Sequence, residues 1–295
     1  MKTHSLLISA IVTLAAAPLS FAQQDFSKVE IKATQVSGNV YMLQGAGGNI
    51  GVSVGADGIL IVDDEFAPLA DKIKAALKSL GDGKLRFILN THWHSDHTDG
   101  NKVFGPEAPI IAQTNVRKRL QEGSTAPFKQ DPAPKEALPV ITFDQSVSIH
   151  FNGEEIRVIH FPRGHTDGDA VIFFTAANVV HMGDDFFNGM FPFIDLDSGG
   201  DVDGYVKNVG EVLAKLPPGA KIIPGHGALA TADDLKAYQR MLLETTGIVK
   251  RKIAAKKSLA QIKKEGLPEE WKSWGTGFIK TEAWIETLYR SFTRK

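Results

Sequence analysis

The chain has 295 residues, 43% of them hydrophobic, a formal net charge of −1 and no cysteine. A near-neutral balance gives no global attraction to nucleic acid or to anionic membranes. The absence of cysteine fits an oxidising compartment in which disulfides are not used.

In chain order, the first segment reads as a leader. Lys2 supplies a positive start, residues 6–17 form a short apolar core, and Ser20-Phe21-Ala22 places small residues where a signal peptidase reads. This predicts a secretory signal peptide over 1–22 with cleavage before Gln23. The apolar run is shorter than the ~20 residues that span a bilayer. Residues 23–295 are therefore expected as one exported, periplasmic domain with a helical C-terminal region, free of the membrane once the leader is removed. No linker divides it.

Segments 40–43, 50–54 and 59–63 read as strands with glycine turns between them. The turn Gln44-Gly45-Ala46-Gly47-Gly48-Asn49 is either a mobile flap or a tight hairpin. Leu69, Ile73, Ala76, Leu77 and Leu80 recur every three or four residues, which predicts a helix over 68–80. Strand 85–89 follows, then strand 109–112 and a helix through Val116 and Leu120. A proline-bearing surface loop covers 123–139. A second set of strands runs from 146 to 182, followed by a helix near 202–216. Lysines between 250 and 264 alternate with Ile253, Leu259 and Ile262 and read as the wet face of amphipathic helices. Two strand-rich halves, each with helices, predict an α/β protein with a four-layer α-β-β-α sandwich.

Strand 85–89 runs into Asn90-Thr91-His92-Trp93-His94-Ser95-Asp96-His97, three histidines and a carboxylate within six positions. His92 and His94 are two apart, so in an extended stretch they leave the backbone on one side and can grip one ion together. Asp96 and His97 are adjacent and diverge toward a neighbouring ion. Imidazole nitrogen with carboxylate oxygen is a donor set that zinc accepts. Three more strand-like runs end in a glycine turn and a metal-capable side chain: Gly164-His165-Thr166, Gly183-Asp184-Asp185 and Pro224-Gly225-His226-Gly227. Four such corners point to a metal site at strand ends, where open α/β folds bind ligands.

The ordered set His92-x-His94-x-Asp96-His97, Gly164-His165-Thr166, Gly183-Asp184 and Pro224-Gly225-His226-Gly227 resembles the metallo-β-lactamase-fold superfamily of metal-dependent hydrolases. The resemblance implies two zinc ions: His92, His94 and His165 on the first, Asp96, His97 and His226 on the second, and Asp184 bridging them. It covers about 40–229 and extends to the secreted β-lactamases in the stretches 164–171 and 223–227. Those enzymes typically carry cysteine at the position of Asp184 and lack the histidine of His97; the inferred shell here is like that of glyoxalase II and the lactonases. Asp184 is taken over Asp185 because it directly follows the glycine.

The implied activity is hydrolysis by hydroxide generated at the metals, with Asp96 also orienting the nucleophile or passing on its proton. The expected partner is a small-molecule substrate, a cyclic amide or ester. Export favours β-lactam or lactone substrates over cytosolic thioesters; a β-lactam-type substrate is expected first, with lactonase or glyoxalase II-like thioesterase activity as the alternative. A nucleic-acid-processing member is disfavoured by charge, and a flavodiiron oxidoreductase by histidine at position 94. A metal-binding protein without catalysis is the reading from a different class. Thr166 and Asp63 or Asp64 are expected to support the ligands. His150, His160 and His181 are read as partly buried or supporting residues, and loops 44–49 and 186–200 as the seat of specificity.

Overall fold

Strands β1 (Lys32–Ser37), β2 (Val40–Gln44), β3 (Ile50–Gly55) and β4 (Gly58–Val62) form an antiparallel run. After helix α1 (Ala70–Leu80), β5 (Leu85–Leu89) pairs in parallel with β4. Two short helices, α2 (Ser95–Thr98) and α3 (Asn101–Phe104), lead to β6 (Ile110–Gln113), α4 (Thr114–Glu122) and β7 (Ile141–Phe143), which complete a seven-stranded sheet in sequential order. The second half contributes β8 (Ser146–Phe151), β9 (Glu154–His160), β10 (Ala170–Phe174), β11 (Val179–His181), α5 (Val202–Lys215), β12 (Lys221–Ile223) and β13 (Ala230–Thr231). Its six strands are ordered β13-β12-β11-β10-β9-β8. Helices α6 (Ala232–Ala254), α7 (Leu259–Glu265) and α8 (Thr281–Thr293) end the chain. This computed structural model describes residues 25–125 and 129–294, so the expected leader over 1–22 lies outside the described residues. Among the described residues, no helix is long and apolar enough to cross a membrane.

The layers follow from two-residue alternation in strands buried on both faces. Val40 and Met42 of β2, Leu60 and Val62 of β4, and Ile172 and Phe174 of β10 meet between the sheets. Leu43, Ile59 and Ile61 face the other way, under Ile73 and Leu77 of α1 and Phe104 of α3. Val171 and Phe173 turn from the opposite sheet toward Tyr205 and Val209 of α5, Tyr238 and Met241 of α6, and Trp284 and Leu288 of α8. Each such buried side chain contributes roughly 1.5–3 kcal/mol over its exposed state. The α/β four-layer sandwich is the architecture that the sequence predicts. The lysine-bearing stretch is also as expected: Ile262 is buried, Ile253 and Leu259 pack on the core, and Lys250 and Lys263 pair with Asp203 and Glu286.

Strands β1, β7 and β13 and the short helices α2 and α3 were not read from the sequence. The edge strand β1 has an exposed, polar face, and β7 has only three residues. The loop 123–139 is not plain coil where described, since Lys135–Ala137 forms a 3-10 turn with Ala137 and Leu138 buried.

Strand direction positions the site. β4 and β5 are parallel, β11 and β12 are parallel, and β9 and β11 each run antiparallel to β10. The chain segments that leave β5, β9, β11 and β12 carry the expected ligands, and they converge at one edge of the sandwich.

Candidate metal centre

All seven expected ligands come together in two groups. His92, His94, His165 and Asp184 form one, and Asp96, His97 and His226 the other; within each group the ligand atoms lie within 4.8 Å of one another. His94 has extended backbone and occupies the cap position of α2, so the next turn of chain carries Asp96 and His97 away from it. Asp184 sits in a 3-10 turn entered through Gly183, whose φ of +50° is in the left-handed region. A side chain at Gly183 would also strike Thr91, 2.6 Å from the position of its Cβ.

The Asp184 carboxylate lies between the groups. Its Oδ2 is 3.4 Å from His165 Nε2 and 3.8 Å from His92 Nε2. Its Oδ1 is 3.1 Å from His97 Nε2 and 3.4 Å from His226 Nε2. Asp96 Oδ2 is 3.2 Å from His226 Nε2 and 3.7 Å from His97 Nε2. The centre is open on the Asp96 and His226 side, where side-chain exposures are 30% and 24%, against 1% for His92 and 0% for His165.

Partners on the far side of four rings set their tautomers. His97 Nδ1 donates to Asp63 Oδ2 at 2.8 Å, His94 Nε2 to Asp195 Oδ2 at 3.0 Å, and His165 Nδ1 to the Phe193 carbonyl at 2.8 Å. Thr91 Oγ1 donates to Asp63 Oδ2, so its lone pair is left to accept from His92 Nδ1 at 3.0 Å. The inward nitrogens, Nε2 of His92, His97 and His165 and Nδ1 of His94, are therefore the ones left to bind a cation, which would displace any proton they carry. Histidines that bind metals are oriented in this way. His92 Nε2 and Asp184 Oδ1 are buried without a hydrogen-bond partner, a state that costs about 1–3 kcal/mol per group unless something satisfies it. A divalent cation would do so, and the nitrogen and oxygen donor set fits one.

The electrostatics agree. Burial holds His92 well below the usual histidine range and brings His165 to about 4. Burial opposes ionisation of Asp96, but His97 and His226 outweigh it and hold the carboxyl at about 2. Asp184 is likewise held well below its usual range, against its burial, by His226, His97 and His165. Burial also works against charge on His226, yet Asp184 and Asp96 push it up to about 10. His97 is raised too, against burial, by Asp184, Asp96 and Asp63. The field at this edge favours positive charge.

The choices left open by the sequence resolve residue by residue. Asp63, not Asp64, supports the ligands: it accepts from Thr91 N, Thr91 Oγ1 and His97, whereas both Asp64 carboxylate oxygens are buried without a partner. Thr166 acts at one remove, donating to Asp169 through its hydroxyl and its amide. His181 is buried; its Nδ1 accepts from Gly183 N, so its Nε2 donates to the Asn49 carbonyl at 2.9 Å. His160 is half-buried on the Asp169 carbonyl. His150 corrects the reading: it is exposed, because its strand neighbours Ile149 and Phe151 take the inward face. The turn after β2 is no free flap, since the amides of Ala46, Gly47, Gly48 and Asn49 are all engaged inward. Three supporting carboxylates were missed: Asp195 on His94, Asp169 under Thr166, and Glu65 on the glycine-rich turn.

Residues 33–226 match the family described as the metallo-beta-lactamase superfamily. The chain is 25% identical over 247 residues to a metallo-beta-lactamase type 2 of Bacteroides fragilis, covering 77% of this chain and 90% of that protein. It is 28% identical over 160 residues to a hydroxyacylglutathione hydrolase of Pelagibacter ubique, covering 52% of this chain and 57% of the relative. Among solved structures, DIM-1 metallo-beta-lactamase superposes with a TM-score of 0.62 at 19% identity over 74% of this chain and 99% of that one. A double mutant of the sec-alkyl sulfatase PisA1 superposes with a TM-score of 0.69 at 13% identity, over 89% of this chain and 50% of that one. With the matched span covering all four ligand corners and every strand but the short β13, the chain belongs to the metallo-beta-lactamase superfamily of hydrolases.

Proposed function

We propose that this is a dinuclear zinc hydrolase that opens a cyclic amide or ester, most readily a β-lactam. In this reading His92, His94 and His165 would hold one ion and Asp96, His97 and His226 the other, with Asp184 placed to serve both. The observation that carries it is the Asp184 carboxylate, with one oxygen facing each ligand group. When bound, the ions supply Lewis acidity and lower the pKa of water from about 16 toward ~7.

The chain's own residues do the rest. Asp96, on the open side and 3.2 Å from His226, can orient water and accept its proton at Oδ2. Asp63, Asp195 and the Phe193 carbonyl hold the rings in place. Phe187 stacks on His226 with ring centroids 5.1 Å apart, and Phe193 lies 5.8 Å from both His94 and His165. These phenyl rings exclude water beside the ligands and offer an apolar wall to a small-molecule substrate.

The β-lactam substrate is supported by the Bacteroides fragilis relative, which aligns over most of both chains, and by the expected leader. A thioesterase or lactonase reading is supported by Asp184 and His97, which give an all-histidine-and-aspartate shell, and by the hydroxyacylglutathione hydrolase relatives. Zinc-loaded protein assayed with one β-lactam, one lactone, one glutathione thioester and one phosphodiester separates these. β-Lactam opening is expected to be fastest. Thioester or lactone turnover tenfold faster would favour the second reading, and no turnover at full zinc loading would leave a metal-binding protein.

A further inference from the structure

Glu65 holds the glycine-rich turn beside the metal centre, and that turn touches the second ligand group. Glu65 follows β4, is fully buried, and has a φ of +53° that residues with a side chain rarely adopt. Its Oε2 accepts from the amides of Ala46 and Gly47, both at 3.0 Å, while its Oε1 has no partner. Its main chain is tied as well, since the Glu65 carbonyl accepts from Gly100 N at 2.9 Å. A Cβ at Gly45 would lie 2.6 Å from Glu65 Oε1, so the turn closes directly over the carboxylate.

The far side of the turn meets the second ligand group. Gly48 N donates to the Asp96 carbonyl at 3.0 Å, and a Cβ on Gly48 would overlap Cε1 and Nε2 of the His97 ring. One residue on, Asn49 N donates to the Gly225 carbonyl at 2.8 Å, and its side-chain amide donates to the carbonyls of Pro224 and Gly227. The turn thus joins the Asp96–His97 corner of the first half to the His226 corner of the second. Glu65 is the side chain that holds its near edge. His97 lies between two fixed surfaces, with Asp63 on its Nδ1 and the Gly48 backbone against the edge that carries Nε2.

We propose that Glu65 is a positioning residue for the second metal: by clamping the turn 45–48 it sets His97 Nε2 against Asp96 and His226. This rests on the reading that these three side chains hold an ion. The first group, whose rings are held by Asp195, Thr91 and the Phe193 carbonyl, does not depend on the clamp.

The test is zinc titration of the whole mature protein against a chromophoric chelator, comparing wild type, Glu65→Ala, Glu65→Gln and Gly48→Ala, with urea unfolding of each apo protein. Loss of a residue that orients ligands typically lowers metal affinity 10–100-fold. In Glu65→Ala one of the two zincs is expected to lose about that much and the other less than about threefold. Glu65→Gln keeps an acceptor for the two amides and should recover most of the loss. Gly48→Ala pushes on His97 from the other side with Glu65 intact, so it should weaken the same zinc and report even where Glu65→Ala folds poorly. Unchanged affinity for both ions in a folded Glu65→Ala would overturn the proposal. So would equal weakening of both ions that tracks the loss of urea stability, which marks a fold anchor. A wild type that binds fewer than two zincs would instead overturn the dinuclear reading beneath it.

Discussion

Asp195 Oδ2 lies 3.0 Å from His94 Nε2 across 101 positions of sequence. The carboxylate is itself held: its Oδ1 accepts from the amides of Asp197 and Ser198, and Asp195 N donates to the His165 carbonyl. The loop after β11 therefore decides which nitrogen of His94 faces inward. Asp195→Ala is expected to lower affinity at the first ligand group about 10–100-fold, and Asp195→Asn, which keeps an oxygen acceptor, by less. Zinc competition titrations measure both.

Asp184 and Asp185 are adjacent and differ completely in their surroundings. Asp184 faces both ligand groups, whereas both Asp185 oxygens are buried without a partner, and burial followed by Asp169 raises its pKa well above the usual range. Asp184→Ala should cut turnover by ~10²–10³ or more, as loss of an essential electrostatic element does, and reduce bound metal. Asp185→Asn, which nearly preserves the shape of the side chain, should keep both ions and activity within a few-fold. Metal analysis beside kinetics checks the pair, and the opposite ranking would contradict the assignment.

Asp201 caps α5, accepting from Gly204 N at 3.0 Å and from Arg294 at 3.1 Å. Burial opposes its ionisation, but the Gly204 amide, Arg294 and Arg163 outweigh it and lower its pKa below the ordinary 3.8. A depressed folded-state pKa gives stability that is present above the unfolded value and lost as pH falls through the folded one. Asp201→Asn should therefore be less stable at pH 7, by no more than ~1 kcal/mol given solvent screening. The two curves should converge in strong acid. Urea midpoints of the apo proteins from pH 7 to about pH 2.5 test this, and a constant gap would contradict it.

N-terminal sequencing of protein recovered from an expressing Gram-negative cell should begin at Gln23, with the product in the soluble periplasmic fraction. Persistence of Met1 in a membrane pellet would contradict the export reading.

The expected ligands were legible because four of them fall within six residues at the end of one strand, and the other three each follow a strand of their own through a glycine corner. The layers were legible because residues such as Ile59 and Leu60 alternate between two buried faces. What escaped depends on tertiary approach. Asp195 reaches His94 from a loop that sequence marks only as a place for specificity. Asp63 and Glu65 act from positive-φ positions that no residue type announces. His150 was misread although parity could have placed it, since Ile149 and Phe151 on either side already claim the core face.

Metal stoichiometry tests the central claim most directly. Protein exchanged free of metal, reloaded with zinc and desalted should hold about two zinc ions per chain by elemental analysis, and chelation should abolish hydrolysis that zinc then restores. One ion or none per chain, or a stable flavin with iron, would contradict a dinuclear zinc hydrolase built on Asp184.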